Sequence, residues 1–404
     1  MSRAPVPALG QAGPVPPTQT VSKPAPSLGP YNAMSRSDRK PVLGLLLSAH
    51  RRHASALVAT AIAGAMVLLL AGCGPKSAKV LALSGATMGT TYSVQVLPPR
   101  ADVDPNALQQ RIDALLAKVN ALMSTYDPDS ELSRFNAAQS TDWFAVSPEL
   151  VTLVDVARKV SEASDGAFDI TVGPLVNLWG FGPDLRPDAL PARTDIDAAR
   201  ARVGYHKLHT RAEPPALRKD RPDLYVDLSA IAKGYGVDRV AALLESEGLT
   251  DYLVEIGGEL RGRGVNGRGE PWRIAVERPE AGRRSVFRIV PLHDLAMATS
   301  GDYRNFFEVN GERYSHSIDP RTGWPVQHPL ASVTVLADDC MWADAWATAL
   351  LVLGTETGHA LAESRGLAAL FISRIRARGT RGAEDQYPAQ ATAAFEHAAE
   401  DATQ

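Results

Sequence analysis

Residues 54–70 divide this chain before any fold can be considered. They are seventeen consecutive uncharged residues, rich in Ala, Val and Leu, that follow the basic group Arg51-Arg52-His53 and lead into Leu70-Ala71-Gly72-Cys73. A positive patch, an apolar run and small residues ahead of a cleavage point make an export signal. The competing reading is a transmembrane anchor, which usually takes about 20 apolar residues, and this run is slightly short of that. On the export reading, residues 1–72 are a leader and the folding body lies beyond them.

The ending Leu-Ala-Gly-Cys resembles the lipobox of bacterial lipoproteins, in which the cysteine becomes the lipidated first residue. That resemblance implies lipidation of Cys73, a membrane anchor, and a place in the cell envelope facing the periplasm, expected at the inner membrane. The only other cysteine is Cys340, so no internal disulfide can form once Cys73 is modified. An exported body without staples depends on its core. The whole chain, with 45% hydrophobic and 22% charged residues, has the material for one.

Upstream of the signal, residues 1–33 hold eight prolines with scattered Gly, Ser and Thr, a composition that buries no core and stays extended. Met34, just ahead of the basic patch, is the expected true start. Residues 1–72 carry seven Lys and Arg against one acid, Asp38, which leaves 35 basic and 44 acidic residues in the remainder, a net charge of −9. Nucleic-acid binding depends on Lys and Arg neutralising phosphates, so an acidic body sets that class aside.

Beyond a tether over 73–80, alternation in residues 80–96, with Gly85 and Gly89 as breaks, predicts a strand, a turn and a strand. Asp104 and Pro105 open a helix whose apolar stripe is Leu108, Ile112, Leu115, Val119 and Leu122. A second helix spans 148–163 and ends at Gly166. Residues 183–222, rich in Pro, Arg and Asp, read as a surface connection with one short helix over 195–203. Residues 224–228 predict a strand that feeds a helix bearing Val237, Val240, Ala241 and Leu244. Further strands are expected over 252–261, 272–278, 285–292, 306–309 and 331–337, and a helix over 342–353 with Gly354 as its stop. Beyond Arg374 no pattern remains, and 376–404 is expected to be a disordered tail. This irregular mixture predicts an α+β body over 81–375, with mixed or antiparallel sheets and packed helices, rather than a doubly wound sheet.

Residues 262–267 match G-x-G-x-x-G after a strand. A dinucleotide fingerprint also needs a following helix whose N-terminus meets the pyrophosphate. Pro271 and a strand pattern follow here, so a hairpin turn is the better reading.

Three other stretches carry chemistry. In "ADAWATALLVLG", Asp344 and Thr348 stand one turn apart on one helix face. An aspartate on an apolar helix needs a partner or a cation, although a cap near the helix start would also explain it. In "VDLSAIAKGYGVD", Asp227 and Lys233 could form an ion pair at a strand-to-helix turn, with Gly234 and Gly236 allowing close packing or close approach of a ligand. In "HSIDPRTGWPV", Pro320, Gly323 and Pro325 stiffen a turn just after His316. A histidine held there suits a general base, or it merely hydrogen-bonds its loop.

Taken together with "GATMGTTYSV" (85–94), "LMSTYDPDSELSRFN" (122–136), "GAFDITVGPLVNLWGFGP" (166–183), "YLVEIGGELRGRG" (252–264) and "ATSGDYRNFF" (298–307), these stretches resemble one family, the FAD:protein FMN transferases or ApbE family. The resemblance covers about residues 80–375 in the family's order. It implies a T-fold-like α+β protein that binds FAD and Mg²⁺, cleaves the FAD pyrophosphate, attaches FMN to a threonine or serine of an acceptor protein and releases AMP. By that resemblance Asp344, Thr348 and the carbonyl of Ala230 hold Mg²⁺. Met88, Tyr126, Ala167, Phe168, Asp169, Asp227, Lys233 and Ile318 line the FAD, and His316 is catalytic. The implied acceptors are flavoprotein subunits of respiratory pumps or other envelope redox proteins. An FAD pyrophosphatase using the same metal, or a flavin carrier without catalysis, are the alternatives.

Overall fold

A computed structural model describes residues 79–98, 103–182, 190–280, 282–309, 312–376 and 385–401. They fall in the compact unit Pro75–Gln404. The leader, Cys73 and residues 73–78 of the tether lie outside them.

The first alternating segment forms β1 (Leu81–Thr87) and β2 (Thr90–Val96). Met88 and Gly89 turn the chain in left-handed backbone, φ 49° and 69°, the twist that two-residue hairpins require. Gly85 is not a break. It lies inside β1 opposite Tyr92, whose ring covers it. Helix α1 (Pro105–Met123) starts as its cap predicts, with Asp104 Oδ1 accepting from Asn106 N at 2.9 Å. Its buried stripe is Leu108, Ile112, Leu116, Val119 and Met123, so Leu115 and Leu122 sit at the margin. After α2 (Glu131–Ala137) and β3 (Phe144–Ala145), α3 (Pro148–Ala163) has the expected bounds and is capped by Ser147.

The middle of the chain is more ordered than its composition suggests. After α4 (Gly173–Leu178) and α5 (Arg193–Arg200), β4 (Leu208–Arg211) and β5 (Ala216–Lys219) join β3 in a three-stranded sheet. The expected surface connection therefore contains two strands, and Leu208, Ala216 and Leu217 are fully buried. Even Lys219 is inside, donating to the carbonyls of Phe135 and Asn136 at 3.2 and 3.1 Å, which offsets the burial of its charge.

Residues 224–228 form no strand, although Leu224, Val226 and Leu228 are buried. The Asn136 amide takes the place of a neighbouring strand, accepting from Val226 N and donating to Val226 O, both at 2.8 Å. Helix α6 (Ala232–Ser246) follows. The expected strand 252–261 is a hairpin, β6 (Tyr252–Ile256) and β7 (Glu259–Arg263), turned by Gly257-Gly258. β8 (Trp272–Glu277) pairs with β9 (Val286–Leu292) and not with β7, so residues 264–271 cross between two sheets rather than close a hairpin. No helix follows them, and the G-x-G-x-x-G match has no dinucleotide context.

β10 (Leu295–Gly301), β11 (Phe306–Val309), β12 (Glu312–Ser315), β13 (Ile318–Asp319), β14 (Trp324–Pro325) and β15 (Leu330–Ala337) lead into α7 (Cys340–Ser364). Gly354 does interrupt this helix, at φ 79°, but the chain resumes helical turns beyond it. β16 (Ala368–Ser373), β17 (Ala389–Ala391) and α8 (Ala393–Asp401) complete the chain.

The architecture is α+β. Eight strands form one antiparallel sheet in the order β1-β2-β6-β7-β10-β15-β16-β17. Its faces follow the two-residue period of a strand. Tyr252, Val254 and Ile256 pack under α1 and α6, whereas Leu253 faces the opposite side. That opposite side is covered by the β8–β9 ribbon and by α8, whose Phe395 is fully buried. Residues 385–401 are thus part of the body, in place of the expected disordered tail. Among the described residues no helix is long and apolar enough to cross a membrane.

Candidate active site

The helices α6 and α7 pack so closely that a Cβ on Gly234 would stand 2.4 Å from the Cys340 carbonyl oxygen. This contact brings the first turn of α6 against Asp344. The Gly234 N–H, one of the unsatisfied donors at a helix start, donates to Asp344 Oδ2 at 3.0 Å. Asp344 is therefore a cap, though of α6 rather than of its own helix, where it is the fifth residue. Its other oxygen, Oδ1, lies 3.8 Å from Lys233 Nζ. One turn on, Thr348 Oγ1 is 3.0 Å from Ser300 Oγ on β10.

Lys233 also reaches Glu259, at the start of β7, with Nζ to Oε1 at 2.7 Å. Glu259 is 3% exposed, and its second oxygen, Oε2, is buried without a partner. Burial pushes the Glu259 carboxyl up to about 8, against the pull of Lys233. Burial likewise raises Asp344, with Lys233 and the Gly234 N–H opposing. For Lys233 burial acts downward, yet the two carboxylates outweigh it and hold the ammonium above its usual range. Two buried carboxyl groups thus share one ammonium on this wall.

These groups open into a cleft of about 640 Å³, within the range of small-molecule sites. Asp344, Thr348, Ala230 and Lys233 all line it, as do Tyr126, Ala167, Phe168, Asp169, Asp227, Ile318 and His316. Met88 does not. It sits at the β1–β2 turn between two core clusters, beside Gly236 of α6. Tyr126 projects at the rim, 72% exposed, whereas Phe168 and Ile318 are buried and serve the core as well as the cleft wall.

Both flanking aspartates are committed to the backbone. Asp169 accepts from Thr171 N at 2.8 Å and from Tyr205 N at 2.8 Å, one on each oxygen, so it ties the loop after α3 to the segment before β4. Its carboxyl is raised by burial, which these donors partly counter. Asp227 Oδ1 accepts from Ser229 N and Ser229 Oγ at 2.8 and 2.5 Å, shaping the turn before α6.

The histidine loop explains the density of Pro, Gly and Trp around it. Asp319 O accepts from Gly323 N at 2.8 Å, Ser317 O accepts from Val326 N at 2.9 Å, and Trp179 Nε1 donates to Gly323 O at 2.9 Å. Gly323 has φ 80°, a conformation that favours glycine. His316 is held just before this clamp. Its backbone N and its Nδ1 both lie 3.1 Å from Asn305 O. A carbonyl only accepts, so Nδ1 carries the hydrogen and Nε2 keeps its lone pair. The edge of Phe181 lies 6.3 Å away between ring centroids. Burial lowers the imidazole below the ordinary histidine range, with the Asn305 carbonyl opposing, and keeps it neutral at neutral pH.

Sequence reasoning did not single out Glu259, Ser300 or the Asn305 carbonyl. Glu259 stands inside "YLVEIGGELRGRG", and its signal was an acid placed directly after the Gly257-Gly258 turn of a buried hairpin. Among the described residues no group of three or more His, Cys, Asp or Glu is arranged to hold a metal. A cation here would take one or two carboxylates together with hydroxyl and carbonyl oxygens. That donor set fits Mg²⁺, which prefers hard oxygens and leaves places for substrate phosphates and water, and Glu259 Oε2 is a further buried oxygen without a hydrogen-bond partner in the same wall.

Residues 88–371 match the model of the ApbE family. The chain is 52% identical over 311 residues to the FAD:protein FMN transferase of Vibrio cholerae serotype O1, covering 77% of this chain and 92% of that one. It is 47% identical over 323 residues to the protein of that name from Haemophilus influenzae, covering 79% and 93%. Among solved structures, the flavin transferase ApbE from Vibrio cholerae matches with TM-score 0.72 and 46% identity, covering 79% of this chain and 99% of that one. The apo flavinyl transferase ApbE of Pseudomonas stutzeri matches with TM-score 0.71 and 41% identity, covering 80% and 97%.

Proposed function

This chain belongs to the ApbE family, and we propose that it transfers FMN from FAD to a hydroxyl of an acceptor protein, with Mg²⁺ bound at Asp344, Thr348 and the Ala230 carbonyl and with AMP as the leaving group. The observation that carries the reading is the single cleft lined by those three residues together with Lys233 and His316, which come from distant segments of the chain. Phosphoryl transfer asks mainly for positioning and for compensation of charge, plus a base for the incoming hydroxyl.

Mg²⁺, when bound, would neutralise charge on the pyrophosphate and on the departing AMP. Lys233 adds a fixed positive charge beside it, held in place by Glu259. Asp344 keeps its orientation through the Gly234 N–H, which leaves Oδ1 for the cation. His316 Nε2 accepts the proton of the attacking threonine or serine, a contribution of about 10²- to 10⁴-fold in rate. Its Nδ1–H stays on the Asn305 carbonyl throughout, so the ring cannot turn its lone pair away. The cleft walls at Ala167, Phe168 and Ile318, and the rim at Tyr126, offer apolar and aromatic surface to the two rings of FAD.

The leader supports export and lipidation at Cys73, which lies outside the described residues. On that reading the enzyme is anchored in the envelope, faces the periplasm, and modifies flavoprotein subunits of respiratory pumps or other envelope redox proteins. The test is direct. The chain is incubated with FAD, Mg²⁺ and an acceptor fragment bearing a single threonine, and the acceptor is weighed by intact mass spectrometry. The reading expects a covalent FMN adduct that a chelator prevents. FMN and AMP with an unmodified acceptor would instead establish a pyrophosphatase.

A further inference from the structure

The helices α6 and α7, which flank the metal seat, cap each other. Asp344 of α7 takes the free Gly234 N–H of α6, and the converse contact comes from Asp238, one turn further along α6. Asp238 Oδ1 accepts from Cys340 N at 2.9 Å and Oδ2 accepts from Met341 N at 2.8 Å, the first two residues of α7. Asp339, at the sequence position of the cap, makes no capping hydrogen bond with its own side chain. Arg261 Nη1 braces the junction from β7, 2.8 Å from Asp238 Oδ1 and 3.2 Å from Asp339 Oδ1.

We propose that Asp238 is a positioning residue for the metal seat: by capping α7 from α6 it sets the height of α7 and so the place of Asp344 and Thr348 relative to Ala230. The inference rests on the metal seat of the proposed function. Asp238 touches neither the cation nor FAD, and it acts only through α7. An aspartate is required because two adjacent N–H donors need two acceptor oxygens. An asparagine there keeps one acceptor and turns an N–H₂ against the other donor. The same exchange also removes the charge that Arg261 balances.

The experiment uses the full-length chain and its Asp238→Asn variant, with Mn²⁺ as a spectroscopic probe titrated in the presence of FAD, and Mg²⁺ half-saturation of flavin transfer measured in parallel. Outer partners of metal ligands typically change affinity by roughly 10- to 100-fold, and a weakening of that size is expected for Mn²⁺ binding and for Mg²⁺ half-saturation alike. Transfer at saturating Mg²⁺ should stay within about threefold of the original, as expected when binding rather than chemistry is lost. A folded Asp238→Asn variant that melts earlier yet binds Mn²⁺ unchanged overturns the proposal, because a purely structural cap would do that. Should Asp238→Asn fail to fold, Asp238→Glu decides: it keeps both acceptor oxygens and the charge that Arg261 balances but lengthens the arm by one methylene, so weaker Mn²⁺ binding supports the proposal and unchanged binding overturns it. A wild-type chain that binds no Mn²⁺ sinks the metal seat and the proposal together, whereas wild-type binding matched by Asp238→Asn sinks only the proposal.

Discussion

Gly234→Ala puts the helix junction under direct strain, and its sign is informative. In an ordinary helix this exchange stabilises by about 0.5–1 kcal/mol, because glycine loses more backbone freedom on folding. Here the new methyl would sit 2.4 Å from Cys340 O, 2.7 Å from Cys340 C and 2.8 Å from Met341 Cα, all backbone atoms that cannot rotate away. Relief to ordinary van der Waals contact requires α6 and α7 to part by about 1 Å. Overpacking of this kind costs roughly 1–3 kcal/mol, which in a body of this size lowers Tm by roughly 2–6 °C. The same shift displaces Asp344 relative to Ala230, as loss of the Asp238 cap would, so Mg²⁺ half-saturation should rise by roughly 10- to 100-fold. Differential scanning calorimetry and a Mg²⁺ titration of FMN transfer measure the two effects. A variant that melts higher than the original and keeps its activity would refute the close-packed junction.

Four further outcomes are expected. Asp344→Asn keeps an acceptor for Gly234 N–H but loses the carboxylate, and its Mg²⁺ half-saturation should rise by more than the roughly 10- to 100-fold typical of an outer partner, read from transfer rates against Mg²⁺. His316 titrates below the ordinary histidine value of about 6.5, so the base form persists as pH falls and the acid limb of the transfer rate should lie below that value. His316→Ala should lose that limb and about 10²- to 10⁴-fold in rate while still binding FAD, as followed by flavin fluorescence; loss of FAD binding would make His316 a structural residue. Phe395→Ala, a truncation of a fully buried ring, should destabilise the body by about 3–5 kcal/mol in urea unfolding, against no change if the last helix were merely an appendage.

What the sequence made legible were features whose cause is local. The cap and stripe of α1 follow from Asp104, Pro105 and a 3.6-residue period, and the shared face of Asp344 and Thr348 follows from helix geometry alone. Features whose cause lies far along the chain stayed hidden. Residues 224–228 look like a strand, but their backbone partners are the Asn136 amide, about ninety positions away, at Val226 and the Ile170 carbonyl at Asp227 N. β10 carries little strand signal of its own, because "LAMATSG" offers mostly small residues, and it is a strand through its neighbours β7 and β15. The last residues look patternless until Phe395 meets the far face of the main sheet. Gly354 does end a run of helix, yet whether another begins depends on packing and not on the glycine. In the cleft, the motif residues were visible, but their connections were not: Glu259 beneath Lys233, Asn305 behind His316 and Asp238 beneath α7 appear only when separate strands and helices meet.

The account stands on one cation seat, and a crystal structure with FAD and Mn²⁺, read by anomalous scattering, tests it most directly. The metal is expected between Asp344 Oδ1, Thr348 Oγ1 and the Ala230 carbonyl, touching the FAD phosphates, with His316 Nε2 open to an incoming hydroxyl. An anomalous peak elsewhere in the chain, or FAD phosphates bound without metal on the opposite wall of the cleft, would contradict it.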